Sequence, residues 1–348
     1  MKKLLTILFI IMLVSTAFSQ TINFDQLQST FDDFASDIAP SIPTLANVGL
    51  QWSDSWVGFF PHFGVGASVG TAFVPVKTFD NVFTALGQDS GVLDDFPSVG
   101  VPLPAVSVEG RIGGLVFPFD IGIKAGFIPG ALVDLAGDSI ESLDYQMFGF
   151  DVRYALVKEN LVMPEISVGI GYTNLSTNIK IPLGGNQTVG SWQVPVGVTP
   201  TGEPIYENYS LVFADPSAEF GWTSNIIDLK AQISKSFLIV TPYLGAGVSF
   251  GLSNVGGGIT TTPTIYDGSN HSVDIDTVKA YFDAAGQSGS FPDLSTSGIS
   301  FFGDYNSPAF RIYGGTSVNL LMLKLDISGM LNPVTMALGG QLSFRIQL

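Results

Sequence analysis

The pattern that organises this chain is alternation. Val334 to Leu348 reads V-T-M-A-L-G-G-Q-L-S-F-R-I-Q-L. Val334, Met336, Leu338, Leu342, Phe344, Ile346 and Leu348 share one parity, and Thr335, Ala337, Gly339, Gln341, Ser343, Arg345 and Gln347 share the other. Successive side chains of a strand point to opposite faces, so this segment has one apolar face and one polar or small face. Nine more segments repeat the pattern: 63–73, 106–116, 119–127, 148–156, 166–172, 227–233, 237–252, 310–319 and 323–328. In 238–252 every even position is apolar, and Pro242, Gly245, Gly247 and Gly251 argue against a helix there. Ten strands are predicted.

The polar faces hold mostly Gly and Ser, the strands are long for a soluble sheet, and the last one runs to the final residue. A soluble β-sandwich accounts for none of these. In lipid every backbone group must be paired within the protein, so repeated period-two segments require a closed barrel. The expected fold is all-β, a transmembrane antiparallel up-and-down barrel over residues 62–348.

The connections alternate in length. Residues 75–104, 129–143, 177–217 and 253–307 are long, while those at Pro118, 159–163, Lys235-Ser236 and Leu321-Met322 are short. Only Asn332-Pro333 is short on the long side. Barrels of the bacterial outer membrane have short periplasmic turns and long outer loops, and ten is even, so both termini are expected in the periplasm. The 177–217 stretch has room for one or two more hairpins, near 190–198 and 205–213, which sets the count at ten to fourteen. Within 253–307, Val273 to Ala285 reads as a short helix, and Phe291, Ile299, Phe301 and Phe302 make that loop apolar.

Two N-terminal segments break the pattern. Lys2 and Lys3, the apolar run Leu4 to Val14 and the small residues before Gln20 read as a secretory signal over residues 1–19. In 20–61, Phe24, Leu27, Phe31, Phe34 and Ile38 recur at helical spacing, with Asp25, Asp32, Asp33 and Asp37 between them. Pro40 and Pro43 are expected to end this helix. Val48 to Phe60, with Trp52 and Trp56, reads as an extended segment or an extra strand. A helix lying on a membrane surface favours Lys or Arg on its polar face, and this one has only acids, so a plug inside the barrel is expected. Gly64, Gly66, Gly70, Gly169 and Gly171 on the lumen parity would admit close packing.

Charge sharpens the picture. The polar faces carry Glu109/Arg111, Asp151/Arg153, Asp228/Lys230 and Lys324/Asp326 two residues apart, and Asp120/Lys124 four apart. A midplane Arg or Lys facing lipid costs about 2–4 kcal/mol, so these residues, with Glu165, Arg311 and Arg345, are expected to line the lumen. Their local self-neutralisation reads as an interior network, since a selective pore more naturally shows a ring of one sign. The formal net charge of −16 argues against a nucleic-acid surface, and the acids of residues 25–95, Asp54 among them, read as solubilising loops.

Catalytic chemistry finds no foothold. With two His and no Cys, His/Cys metal centres and disulfides are not expected. Gly66-x-Ser68-x-Gly70 and Gly247-x-Ser249-x-Gly251 lie inside strands, where a nucleophile elbow does not form. Asp274-Ile-Asp276 lacks the ligand spacing of a calcium loop. No enzyme and no cofactor are expected. The expected partners are outer-membrane lipid, the barrel-insertion machinery that would take the terminal strand by Phe344, Ile346 and Leu348, and a hydrophobic small molecule.

Three features carry a family resemblance: the N-terminal segment of about forty residues with its helix, the strand T-P-Y-L-G-A-G-V-S-F-G over Thr241–Gly251, and long helix-bearing loops. In these the chain resembles the FadL-type outer-membrane transporters of long-chain fatty acids and other hydrophobic compounds, in their divergent, spirochaete-like form. The Asn-Pro-Ala hatch motif of that family is absent from 20–60, so no functional residue is carried over. The resemblance implies fourteen strands, capture of an apolar ligand at the outer loops and release through a gap in the wall. The expected function is passive uptake of hydrophobic molecules. The alternatives are a general diffusion porin and a structural or adhesive surface barrel.

Overall fold

The computed structural model describes residues 24–86, 98–130, 140–201, 203–284 and 297–348. The expected signal segment and Phe291 lie outside them. The strands are β1 (Phe63–Val74), β2 (Val101–Gly113), β3 (Phe119–Phe127), β4 (Ser142–Val157), β5 (Glu165–Pro182), β6 (Gln187–Val198), β7 (Pro204–Ser234), β8 (Val240–Tyr266), β9 (Ser272–Val273), β10 (Gly298–Leu320), β11 (Leu323–Leu331) and β12 (Leu338–Gln347). All pairs are antiparallel. β1 to β5 meander, β5 pairs with β7, β7 with β8, β8 with β10, and β10 runs on through β11 to β12. β12 returns to β1, from Gly64↔Gln347 to Ala72↔Gly339, and closes the ring.

Ten strands make that ring, the number counted from alternation and fewer than the fourteen the resemblance implies. β6 pairs only with the far half of β7, from Gln187↔Phe213 to Val198↔Pro204, and β9 only with the end of β8. The hairpin foreseen near 190–198 and 205–213 therefore exists but stands above the ring. At the level of the apolar band the ladder is continuous, apart from one register shift between β4 and β5 at Ala155/Val157. No gap opens in the wall of the described residues, in contrast to the release route the resemblance implies.

The two parities separate as expected. Val65, Val108, Ile123, Phe148, Ile170, Ile227, Leu244, Phe310, Ile327 and Phe344 all face outward and are about half exposed. Such a continuous apolar surface is what a lipid-embedded barrel presents. No described helix is long and apolar enough to cross a membrane, so the crossing elements are the strands. Above this band the outward positions turn polar and bond one another: Asn174 to Asn225 (3.0 Å), Ser176 with Thr223 (3.1 Å), Asn178 to Glu219 (2.5 Å) and Asn254 to Asp304 (2.9 Å). The wall of β5, β7, β8 and β10 thus continues beyond the apolar band into water.

Several boundaries move. β2 ends at Gly113, so Val116 belongs to the short turn and not to a strand. Most of 177–217 and much of 253–307 are wall: β5 and β7 reach into the first, β8 and β10 into the second. Ile299, Phe301 and Phe302 lie on β10, where Ile299 is buried and Phe301 faces the interior. Helix α1 (Phe24–Ile38) forms as expected, then a 3-10 turn over Ala39–Ser41, then α2 (Ile42–Ala46). Pro43 sits in the first turn of α2, where a missing N–H has no intrahelical partner to lose, so it starts that helix and does not end α1. The sequence reading missed α3 (Val76–Ala85). The last helix, α4, spans Ile275–Ala284.

The first described helix and the last residue lie at opposite ends of the ring. Leu348 bonds Phe63 in both directions (2.8 and 3.2 Å) at the short-turn end. Helix α1 lies at the long-connection end, where Asp37 accepts from Thr78 of α3 (2.9 Å). An even strand count places the two ends of the ring together. It does not place a segment that passes through the ring before β1.

Candidate functional site

The lumen holds that segment. From α2 the chain descends through the ring as an irregular, repeatedly bent segment without a strand partner, with Gly49 and Leu50 in the left-handed region (φ 80° and 58°), until Gly58; it turns at Phe59–His62 and enters β1. Its course is set by small residues on the wall. A Cβ at Gly70 would come within 2.6 Å of Val48, and one at Gly64 within 2.8 Å of the Trp52 ring. Only glycine leaves the segment this close to β1.

Because the segment has no strand partner, wall side chains bond its backbone. Lys124 Nζ donates to the carbonyls of Ala46 (2.5 Å) and Val48 (2.8 Å). Gln341 accepts from Gly49 N–H (3.0 Å), and Glu109 accepts from Leu50 N–H. Arg111 donates to Leu50 O (3.1 Å), Tyr243 to Gln51 O (3.3 Å), and Gln232 to Trp52 O and Ser53 O (2.8 and 3.1 Å). Asp326 takes Ser53 N–H (3.2 Å), Arg153 donates to Asp54 O (2.6 Å), and Ser234 takes Ser55 N–H (3.1 Å). Glu165 and Asp120 take the N–H groups of Trp56 and Val57 (both 3.0 Å). A buried, unpaired backbone group is costly, and here the wall pairs them in sequence.

The side chains of the segment are gripped as well. Trp52 is fully buried, donates to Glu109 (3.0 Å) and stacks under the guanidinium of Arg345, 4.6 Å from its ring centre. Asp54 accepts from Arg345 (2.8 Å) and from Lys324 (2.7 and 3.0 Å). It is the only Asp, Glu, Lys or Arg between Asp37 and Lys77.

The predicted lumen residues all face inward. Glu109, Arg111, Asp120, Lys124, Asp151, Arg153, Glu165, Asp228, Arg311, Asp326 and Arg345 are buried, and Lys230 and Lys324 are mostly so. They form linked pairs: Arg111–Asp120 (2.5 Å), Arg153–Asp120 (2.8 Å), Lys230–Asp151 (2.5 Å), Arg311–Asp228 (2.6 Å) and Arg345–Asp326 (2.7 Å). The wall contributes seven cations, Arg111, Lys124, Arg153, Lys230, Arg311, Lys324 and Arg345, against six acids, Glu109, Asp120, Asp151, Glu165, Asp228 and Asp326. Asp54 supplies the seventh negative charge, so plug and wall together are formally neutral. Beside the segment, between Gln51, Lys124, Asp151, Thr173 and Arg311, a cavity of about 20 Å³ remains. That is room for about one water and is no conduit.

The upper lumen is different. Leu27, Phe31, Phe34 and Ile38 of α1 are fully buried. Phe31 packs on Phe301 and Phe220 (ring centres 5.8 and 6.1 Å apart), and Phe34 on Phe220 and Phe79 (5.0 and 5.6 Å). Phe83 closes on Phe220 from α3 (6.5 Å). The result is an aromatic chamber above a charged shaft. Phe24 opens α1, whereas Phe344, Ile346 and Leu348 of the terminal strand face outward. Sequence reasoning missed Asp54, Gln232, Gln341, Tyr243 and the α3 phenylalanines. Gln232, Gln341 and Tyr243 do sit on the lumen parity, and Asp54 stands alone in a long uncharged stretch.

No protein-family profile and no curated protein matches this sequence. Similar folds are found among solved structures. The outer-membrane protease OmpT of Escherichia coli is 7% identical, with 83% of this chain and 96% of that chain covered at a TM-score of 0.37. The transport unit of the autotransporter AIDA-I of Escherichia coli is 12% identical (91% and 99% covered, TM-score 0.27), and a deletion mutant of the monoaromatic hydrocarbon channel TodX is 8% identical (82% and 89%, TM-score 0.22). Likenesses at TM-scores this low carry no argument. The barrel rests on its own closed ladder of strand pairs.

Proposed function

We propose that this protein is an outer-membrane uptake barrel for hydrophobic small molecules, long-chain fatty acids among them, held shut by its own N-terminal segment. The observation that carries this reading is the aromatic chamber. The apolar stripe of α1 covers a lining of Phe79, Phe83, Phe220 and Phe301 at the long-connection end. Hydrophobic attraction is non-directional, so an acyl chain or a ring that displaced α1 would find the same surface. In the closed state the helix stands in for the solute. The barrel then acts by binding and passage, without covalent chemistry, and Phe344, Ile346 and Leu348 are the residues its terminal strand offers to the insertion machinery.

A second reading, a structural or adhesive surface barrel, is favoured by the grip of the wall on residues 46–57. Fatty-acid binding separates the two. Refolded full-length protein is titrated with a fluorescent long-chain fatty acid while residues 24–46 are probed with a protease. Saturable binding that exposes those residues supports uptake. Protection that persists at every fatty-acid concentration, with no binding, refutes it and leaves the structural reading.

A further inference from the structure

The short-turn end of a barrel normally meets water, yet here its tips are apolar. Leu115 and Val116 (both 75% exposed) cap the β2–β3 turn, Leu161 and Val162 (99% and 83%) the β4–β5 turn, Leu238 (103%) the β7–β8 turn and Leu321 (101%) the β10–β11 turn. Phe117, Met163, Phe237, Ile239, Leu320 and Met322 flank them, all exposed. Four separate turns carry the same chemistry on one rim, and it is the rim at which the plug leaves the lumen. We propose that this rim is a lipid-docking surface: the four turn tips are seated in the membrane leaflet on that side, and the mouth of the lumen at Trp56–Phe60 opens at the lipid interface.

Continuity with the lipid-facing wall is the first argument. On β10 and β11 the outward residues run Val318, Leu320, then Leu321 and Met322 at the tip, then Leu323 and Leu325, with no polar outward position between them. From β7 to β8 they run Ile233, Phe237, Leu238, Ile239, Val240, interrupted only by Lys235 and Ser236.

Height is the second. An apolar band is about 25 Å tall, and a strand tilted by about 40° climbs about 2.5 Å per residue along the membrane normal, so the band takes about ten residues. Its upper edge is fixed on β5 by Tyr172, whose hydroxyl donates to Asn225 (2.7 Å), with Asn174 next above it. Ten residues back from Tyr172 is Val162, inside the turn. On β7 the last apolar outward residue before the polar positions Asn225 and Thr223 is Ile227, and ten residues on is Phe237, in the next turn. β5 and β7 alone are too short to fill the band, and their turns complete it.

Charge is the third. Lys158 lies over the rings of Trp56 (5.0 Å) and Phe59 (4.3 Å), and Lys235 pairs with Glu159 (3.4 Å). Basic and aromatic groups set at this level are what a headgroup region accepts, with long side chains reaching back toward water.

The chain has no Cys, so single cysteines report unambiguously. Leu161→Cys, Leu238→Cys and Leu321→Cys, with Ser269→Cys in the β8–β9 turn as the aqueous control, are labelled with an environment-sensitive nitrobenzoxadiazole probe in full-length protein. The proteins are reconstituted in phosphatidylcholine vesicles, and protease resistance of the ring confirms folding. The expected result is blue-shifted emission at the three tips, quenched several-fold more by acyl-chain nitroxide lipid than by iodide, with the reverse at position 269. Iodide quenching of the tips equal to the control overturns the proposal. So does shielding from both quenchers, which would place a protein, or a second copy of this chain, on the rim.

Discussion

Asp54 is where the closed state is most exposed to perturbation. Asp54→Asn keeps the size of the side chain and removes its charge, leaving seven wall cations against six acids in a lumen that is otherwise neutral. Removing one partner of a buried ion pair costs about 3–5 kcal/mol. Two features reduce that figure here. Arg345 keeps Asp326 at 2.7 Å, and the Lys324 side chain, 16% exposed, reaches toward water at the short-turn end. A cost of about 2 kcal/mol to the seated plug is expected, which at about 1.4 kcal/mol per tenfold raises the unseated fraction roughly 30-fold. Native-state proteolysis reads this fraction directly when reclosing is faster than cleavage. Cleavage within residues 24–60 should accelerate by that factor while the ring stays intact. Lys324→Met added to Asp54→Asn restores six charges against six, and most of the loss should be recovered as coupling between the two sites. Unchanged cleavage in Asp54→Asn, or no recovery in the double variant, refutes the electrostatic seating of the plug.

Four further outcomes follow from the same geometry. Gly64→Leu places a side chain where a Cβ already stands 2.8 Å from Trp52; overpacking of about 1–3 kcal/mol should unseat that indole and shift tryptophan emission to the red. Phe220→Ala removes the ring shared by Phe31, Phe34, Phe79 and Phe83, and a loss of about 3–5 kcal/mol should appear as a lower urea midpoint for protection of α1. Ser29→Cys on the exposed face of α1 should react with an impermeant maleimide added to intact cells, because α1 lies at the long-connection end; labelling only after the periplasm is opened would reverse that orientation. The backbone N–H of His271 (2.8 Å) holds the Asp267 carboxyl below the usual carboxylate range. A lowered value stabilises the 267–271 turn at pH above the unfolded carboxylate range and is lost as pH falls through the lowered value. Protection of the His271 amide relative to its intrinsic exchange rate should therefore fall only in acid, and Asp267→Asn should abolish that dependence.

The ring was legible because lipid imposes a period of two that no other demand overrides: Phe148, Phe150 and Val152 could be assigned to the outside before any partner was known. Legibility ended where lipid ends. Above Tyr172 and Ile227 the outward residues become Asn174, Ser176, Asn225 and Thr223, the ladder continues, and the apolar signal that marks a membrane strand is gone. For that reason wall was read as loop, and Phe301, an inward chamber residue on β10, was assigned to the 253–307 loop. Helix α3 carries Val76, Phe79, Val82 and Phe83 at helical spacing, but its stripe is short and lies within an acidic stretch. Asp54 was unreadable for another reason. Its partners Lys324 and Arg345 are 270 and 291 residues away, and its isolation in an uncharged stretch does not point to them.

The mixed charges of the shaft and the plug explain one another. A segment without a strand partner presents both N–H and C=O groups to the wall, so a lining of one sign would satisfy only half of them. Carboxylates of Glu109, Asp326, Glu165 and Asp120 take the N–H groups, while Lys124, Arg111 and Arg153, with Gln232, serve the carbonyls. The self-neutralising pattern, read from sequence as an interior network, is thereby also a receptor for backbone. Part of it remains paired when the plug is withdrawn, because Arg111 and Arg153 already share Asp120, and Lys230 already holds Asp151, whereas Lys124 and Glu165 lose the backbone groups they bond. Lys324 alone loses its ion-pair partner. In ion pairs alone, the cost of opening is therefore concentrated at Asp54, and on the uptake reading proposed above that residue is the latch.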